Sequence, residues 1–373
     1  MQIESIAPIA VSLPMLKPVI MAGEEVRRAD NVLVRIETDS GLVGWGEAAS
    51  APVMTGETLE SIVSSIHYLM PVLRGRDPAD IDGALAAMDG RMYGNHGAKA
   101  AVEIALHDLT GLATGKPVHA LLGETKRSRV ALLGVIGGGD LDGDLRDAEK
   151  KKAAGFTIYK IKVGVGTPEA DAARTRAICE LLGPEMLISS DANQGFSNDE
   201  ALVYARAVKG SGLGFFEQPV MADDLDGMAA VQAASDCAVG ADEGIHSLDD
   251  IRKHHERKAA RGVSLKAIKL GGIRAVTEAG RLCDSLGMSV NISCKTGESS
   301  VACAAALHVA CVIPGIAWGL TMTHSALGED VTAHPIATAM GYVDGLDRPG
   351  LGVAVDEDSV QRHRVHIATR HVA

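Results

Sequence analysis

Thr157-Ile158-Tyr159-Lys160-Ile161-Lys162 is the stretch on which the reading of this chain turns. It is a short β-branched and aromatic run, and Lys160 and Lys162 stand at i and i+2, so on a strand both side chains leave the same face. Three further apolar runs each end in an acid: Ser190-Asp191-Ala192-Asn193, Phe216-Glu217-Gln218-Pro219 and Ala241-Asp242-Glu243. Residues 191, 217 and 242 are about one βα unit apart, and the next run, Leu265-Lys266-Ala267-Ile268-Lys269, carries lysines instead.

Working outward, strands are expected near 130–134, 157–162, 187–191, 213–217, 238–242, 265–270, 289–294 and 316–320, alternating with amphipathic helices. This α/β pattern predicts a (β/α)8 barrel over 125–344, with the charged residues at C-terminal strand ends, where such barrels place active sites. Residues 1–124 read as an α+β capping domain completed by about 345–373. In it, Val32 to Thr38 and Leu42 to Glu47 form a hairpin around Asp39-Ser40-Gly41, and helices are expected near 58–73 and 98–114.

The 373 residues are 46% hydrophobic, ample for such a core, while aromatics are only 3% and Ala and Gly are abundant, which suits helices lying close on a sheet. A formal charge of −12 without a dense basic stripe argues against nucleic acid as a partner. Six scattered cysteines without a Cys-x-x-Cys pair read as reduced thiols in a cytoplasmic protein, and the start MQIESIAPIA shows no export signal. Val301 to Leu320, interrupted by His308, Pro314 and Gly315, reads as a buried helix running into a turn and strand, so no membrane partner is expected.

Two buried ammonium groups side by side repel, and burial disfavours the charged form, so one of Lys160 and Lys162 is expected to have a pKa lowered toward that of a general base. The plainer alternative is a pair snorkelling to solvent. Acids ending three consecutive barrel strands converge, and their repulsion calls for a cation. Hard oxygen ligands favour Mg2+, with Mn2+ as substitute. Lys266 lies on the wall opposite the lysine pair, and a base on each face of a carbanion permits inversion. Lys269 is its rival, since strand positions three apart face opposite ways and only one can point inward.

The set Lys-x-Lys, Asp-Ala-Asn, Glu-Gln-Pro, Asp-Glu and Lys-x-x-Lys-x-Gly-Gly resembles the enolase superfamily, and its order and spacing resemble the muconate lactonizing enzyme subgroup. The resemblance implies a capped barrel in which Mg2+ binds a small-molecule carboxylate substrate and stabilises an enediolate. It implies Asp191, Glu217 and Asp242 as metal ligands, Lys162 as base on one face beside Lys160, and Lys266 as acid/base on the other. Lys266 takes this role because Gly271 stands five residues on, leaving Lys269 as the second, non-catalytic lysine. Glu298, Asn193 and Glu243 match further residues around the site, and a homo-oligomer is common for such barrels.

The substrate is less legible. Dipeptide epimerases of the subgroup usually place Asp-x-Asp on strand eight, where this chain reads Trp318-Gly319-Leu320-Thr321-Met322-Thr323-His324. That leaves cycloisomerisation of a muconate-like diacid, racemisation or epimerisation of an N-substituted or cyclic amino acid, and syn dehydration of a hydroxy acid or hydroxyproline-like substrate. A Schiff-base aldolase and a non-catalytic metal-binding barrel are the other readings. Trp318 is a stacking residue for a cationic substrate or a packed core residue. Two capping loops, Leu16 to Asp30 with Glu24, Glu25, Arg27 and Arg28, and Ser50 to Thr58, are expected to close over the mouth. Gly164-Val165-Gly166 lacks a dinucleotide fingerprint's third glycine, Gly137-Gly138-Gly139 reads as a turn, His254-His255 as a solvated face, and Cys294 as a buried thiol.

Overall fold

The computed structural model describes residues 1–21, 24–137 and 140–367. Eight parallel strands are hydrogen-bonded in chain order: Leu133–Ile136, Ile158–Lys162, Leu187–Asp191, Phe215–Glu217, Ala238–Ala241, Gly262–Leu265, Ser289–Ser293 and Leu320–Thr321. A parallel bridge between Leu132 and Leu320 closes the barrel. Among the described residues no helix is long and apolar enough to cross a membrane. The six cysteines are free and buried.

In front of the barrel, Ile3–Met21, Glu24–Thr38 and Val43–Ala49 form an antiparallel sheet. Helix His96–Thr114, buried along most of its length, lies directly on this sheet. The close approach depends on missing side chains: a Cβ at Gly46 would stand 1.9 Å from the Ala101 carbonyl oxygen. Helix Leu59–Leu73 starts at a Thr58–Ser61 capping box and packs on the same core. The C-terminal segment returns here, with helix Glu357–His363, an antiparallel bridge from Arg364 to Val11, and Ile367 against the core.

Three strand expectations change. Arg129–Ala131 turns outward to pair with Tyr342–Asp344, so the first barrel strand is Leu133–Ile136. The sixth strand stops at Leu265, because Ala267–Leu270 forms a helical turn that Gly271 ends at φ 89°. The eighth begins only at Leu320. Leu16 to Asp30 is a two-stranded ribbon rather than a loop, Val19 to Met21 pairing with Glu24 to Val26. Arg27 and Arg28 are exposed on it, as suits a ribbon edge facing water. Residues 22 and 23 of that segment, Gly138 and Gly139 of the glycine turn, and everything past 367 lie outside the described residues. Ser50 to Thr58 holds a short helix, Pro52–Thr55, clasped by an Ala51–Glu57 bridge. His254 is not solvated: it is buried, its Nδ1 2.8 Å from the Asp250 carbonyl oxygen.

Carboxylates of the capping unit plug the amino ends of barrel helices. Glu103 accepts from the Ile273 and Arg274 amides at 2.9 and 3.0 Å, at the start of helix Ile273–Ser285. Glu47 accepts from the Ser299 and Ala302 amides at 3.0 and 2.9 Å, at the start of helix Ser300–Val312. Each satisfies amides that have no partner within their own helix, and burial raises the Glu47 pKa to about 7 despite those amides. Glu103→Ala leaves two buried amides without an acceptor, an expected loss of about 2 kcal/mol read as a lowered urea midpoint at unchanged m-value.

His308 shows how dry this seam is. The His119 amide donates to its Nδ1 at 3.2 Å, and its Nε2 lies 3.1 Å from the Leu351 carbonyl oxygen, so both ring nitrogens are used by the neutral ring. Burial, with His119 and His107 nearby, pushes its pKa down to about 3. The unfolded chain therefore takes up a proton here that the folded chain refuses, and stability falls as pH drops from about 6.5 toward 3. In His308→Gln, urea unfolding should lose this dependence. Below pH 6 the stability difference should shift by about 1.4 kcal/mol per pH unit in the variant's favour.

Candidate functional site

Strand register brings the charged residues to one end of the barrel. Lys162 is paired with Asp191, and Asp191 with Glu217, at the C-terminal ends of three neighbouring strands. Asp242 follows Ala241 on the next strand, and Lys266 follows Leu265 on the one after. Backbone just past the acids is in the left-handed region at Asn193 (φ 43°), Gln194 (φ 67°) and Gln218 (φ 35°), a conformation that non-glycine residues adopt at a cost.

Each carboxylate is met by an ammonium group. Lys160 Nζ donates to Glu217 Oε1 at 2.8 Å and lies 3.6 Å from Asp191. Lys162 Nζ donates to Asp191 Oδ2 at 2.7 Å and to Asn193 Oδ1 at 2.5 Å. Lys266 donates to Asp242 Oδ2, while Lys269 donates to Asp242 Oδ1 at 2.6 Å and to the Ser264 carbonyl oxygen at 3.1 Å. Asn193 Nδ2 continues the network to Glu243 Oε1 at 3.0 Å. Lys266 and Lys269 thus both reach inward, because Lys269 sits on a helical turn and not on a strand.

Burial raises the pKa of Asp191, but Lys162 and Lys160 outweigh it and hold the carboxyl below its ordinary value. Asp242 is held down in the same way by Lys266 and Lys269. Burial keeps Glu217 above the ordinary range despite Lys160, and burial plus the charges of Asp242 and Asp191 push Glu243 up to about 7. Lys160 does not follow the expectation of a lowered pKa: burial depresses it, but Glu217, Asp191 and Asp242 raise it above the usual lysine value. Lys266 is raised likewise, chiefly by Asp242, whereas in Lys269 burial prevails and lowers the pKa. Mutual repulsion of lysines matters less than a carboxylate in contact with each.

The donor set suits a hard divalent cation. Glu217 Oε2 and Glu243 Oε2 are buried without an aligned donor, although Lys160 Nζ stands 2.7 Å from the former. Among the described residues no three His, Cys, Asp or Glu side chains stand close enough together to grip an ion, the lysines occupying the carboxylate oxygens between them.

Glu298 is buried at the same end, beyond strand seven, where burial and then Glu47 push its pKa up to about 8; the Lys295 amide donates to its Oε2 at 3.0 Å. Trp318 is not brought to this site. It stacks on Phe215, centroids 3.9 Å apart, at the opposite, amino-terminal end of the barrel, where Gly262 makes room for it: a Cβ there would stand 2.2 Å from the indole. The residues missed in the sequence are supports. Gln218 Oε1 accepts the Asp242 amide at 2.9 Å, and Ser264 Oγ donates to Glu217 Oε1 at 3.0 Å. Ser264 stands two residues before Lys266, a spacing that marks the inward face of a strand.

Comparison with known proteins agrees with this geometry. Residues 144–359 match the family described as Enolase C-terminal domain-like, and residues 6–123 match the Mandelate racemase / muconate lactonizing enzyme, N-terminal domain. The chain is 31% identical over 366 residues to the N-succinyl-L-Arg/Lys racemase of Bacillus cereus, covering 97% of each. It is 32% identical to the L-Ala-D/L-Glu epimerase of Bacillus subtilis, over 95% of this chain and 97% of that protein. The crystal structure of muconate lactonizing enzyme from Pseudomonas fluorescens complexed with muconolactone superposes with a TM-score of 0.93 at 29% identity, over 97% of this chain and 99% of that one. A capped eight-stranded barrel, acids on successive strand ends and lysines on facing walls place the chain in the enolase superfamily, as a member of the mandelate racemase/muconate lactonizing enzyme family.

Proposed function

We propose that the chain is an isomerase, a cycloisomerase or a racemase/epimerase, that removes the proton α to the carboxylate of a small acid by way of an enediolate. The observation that carries this reading is the pair Lys162 and Lys266, projecting from the second and sixth of eight strands over one set of carboxylates. Relatives with cycloisomerase, racemase and epimerase names support it.

Lys162 is the base on one face. Its side chain is 36% exposed against 5% for Lys160, so it is the member of the pair that a substrate entering the mouth would meet. Asn193 orients it and ties it to Glu243. Lys266 holds the proton for the other face. Lys160, buried against Glu217, contributes positive charge rather than proton transfer, and Lys269 pins Asp242 through both its side chain and its backbone carbonyl. The family typically uses a divalent metal. Held by Asp191, Glu217 and Asp242, Mg2+ (or Mn2+) would supply positive charge beside the substrate carboxylate as the second negative charge develops.

Incubated in D2O with Mg2+ and a panel of N-acyl amino acids, proline derivatives, dipeptides and muconates, the protein should exchange the α-proton of at least one acid, and chelation should stop it. Lys162→Ala and Lys266→Ala should each lower turnover about 10²- to 10⁴-fold. For a racemase substrate, one variant should still exchange a single enantiomer from its untouched face. Full turnover without Lys162 would remove it from the scheme.

A further inference from the structure

One ammonium group at the mouth belongs to neither the lysine–carboxylate cluster nor a surface ion pair. Lys295 stands two residues beyond the end of strand Ser289–Ser293. In register, Leu265 pairs with Ile292, so Lys266 is level with Ser293 and Lys295 begins about 7 Å further out, two strand residues of rise.

Its surroundings are fixed. The Lys295 amide donates to Glu298 Oε2 at 3.0 Å, and its carbonyl oxygen accepts from Thr323 Oγ1 at 2.9 Å. Gly297 is pressed under the capping ribbon: a Cβ there would stand 2.4 Å from Ala29 Cβ, and its carbonyl oxygen accepts from Asn31 Nδ2 at 2.8 Å. The Ser50 amide donates to the Asp30 carbonyl oxygen at 2.9 Å, so the ribbon and the 50–58 segment meet the barrel beside Lys295.

The ammonium itself is half-buried and, among the described residues, forms no hydrogen bond or ion pair. Burial lowers its pKa, with Glu298 and Asp30 the charges near enough to oppose this. Neither neutralises it well. Glu298, with its pKa near 8, is largely protonated at neutral pH, and Asp30 is exposed. A partly dried ammonium without a counter-charge is costly unless a ligand brings one.

Resting on the proposed function, we propose that Lys295 is a specificity residue that binds a second carboxylate of the substrate, remote from the reacting carbon, so that the substrate is a dicarboxylic acid. One carboxylate sits at the cluster of Asp191, Glu217 and Asp242 and the other reaches outward to Lys295. The absence of an Asp-x-Asp pair on strand eight agrees with a site that selects a distal anion rather than an amine.

The test is equilibrium binding by calorimetry with Mg2+ present, using N-succinylalanine and cis,cis-muconate as diacids and N-butyrylalanine as the monoacid of matching length. At least one diacid should bind wild type about 10- to 100-fold more tightly than the monoacid, as expected for a charge-assisted hydrogen bond. Lys295→Met should abolish that preference, leave monoacid affinity unchanged and retain the far-ultraviolet circular dichroism of wild type, and Lys295→Arg should restore most of it. Diacid binding no tighter than monoacid binding, or unaffected by Lys295→Met, or absent for both diacids, overturns the inference. Because binding is read without turnover, a diacid held through Lys295 but never exchanging its α-proton would count against the proposed function alone. Exchange of diacids no more efficient than that of monoacids, and unchanged by Lys295→Met, would count against this inference alone.

Discussion

The structure depends on one electrostatic constraint: four carboxylates and four ammonium groups share the mouth of a barrel, most of them almost out of contact with water. Asp191, Glu217, Asp242 and Glu243 face Lys160, Lys162, Lys266 and Lys269. A buried charge is tolerable only when paired and hydrogen-bonded, and every ammonium in this set has a carboxylate or an amide oxygen in contact. The arrangement is rigid because its supports are backbone groups and short side chains, such as Gln218 holding the Asp242 amide and Ser264 holding Glu217. It is also poised, since a substrate or cation that enters must exchange partners with charges already positioned.

The capping unit closes this mouth by the same economy of polar groups. Glu47 and Glu103 terminate two barrel helices, and Asp108 accepts from the amides of Leu351 and Trp45 at 2.8 and 2.9 Å, joining the C-terminal segment to the capping sheet. These long-range carboxylate–amide contacts make the two units mechanically one. The ribbon from Ile3–Met21 and Glu24–Thr38 is consequently held over strand seven, where Lys295 and Glu298 lie. The lysine–carboxylate cluster on the ends of strands two to six and the Lys295–Glu298 corner of strand seven under the ribbon are thereby two separate parts of one mouth.

Most of the fold and the centre of the site were legible in the chain. The eight apolar runs, the alternation on which Lys160 and Lys162 share a face, and the acids at one βα period follow from local sequence, because a parallel strand buried on both faces has little freedom in composition. What went astray did so for physical reasons. Lys269 was set against Lys266 on the assumption of a continuous strand, whereas Gly271 ends a helical turn that lets both point to Asp242. The ribbon at 16–30 read as a loop because strands that face water on an edge carry the charges of a loop. Trp318, next to the eighth strand in sequence, stands at the far end of the barrel on Phe215.

The amino-acid sequence alone determined the class of architecture and the order around the barrel of the acids and lysines that gather at its mouth, since these depend on period and residue type. Only the tertiary structure decided which lysine pairs with which carboxylate, that Lys160 is held charged while Lys162 opens to the mouth, and that Glu47 and Glu103 are helix plugs. Those outcomes rest on contacts between residues far apart in the chain, such as Glu47 with Ser299 and Glu103 with Ile273, and local propensity carries no information about them.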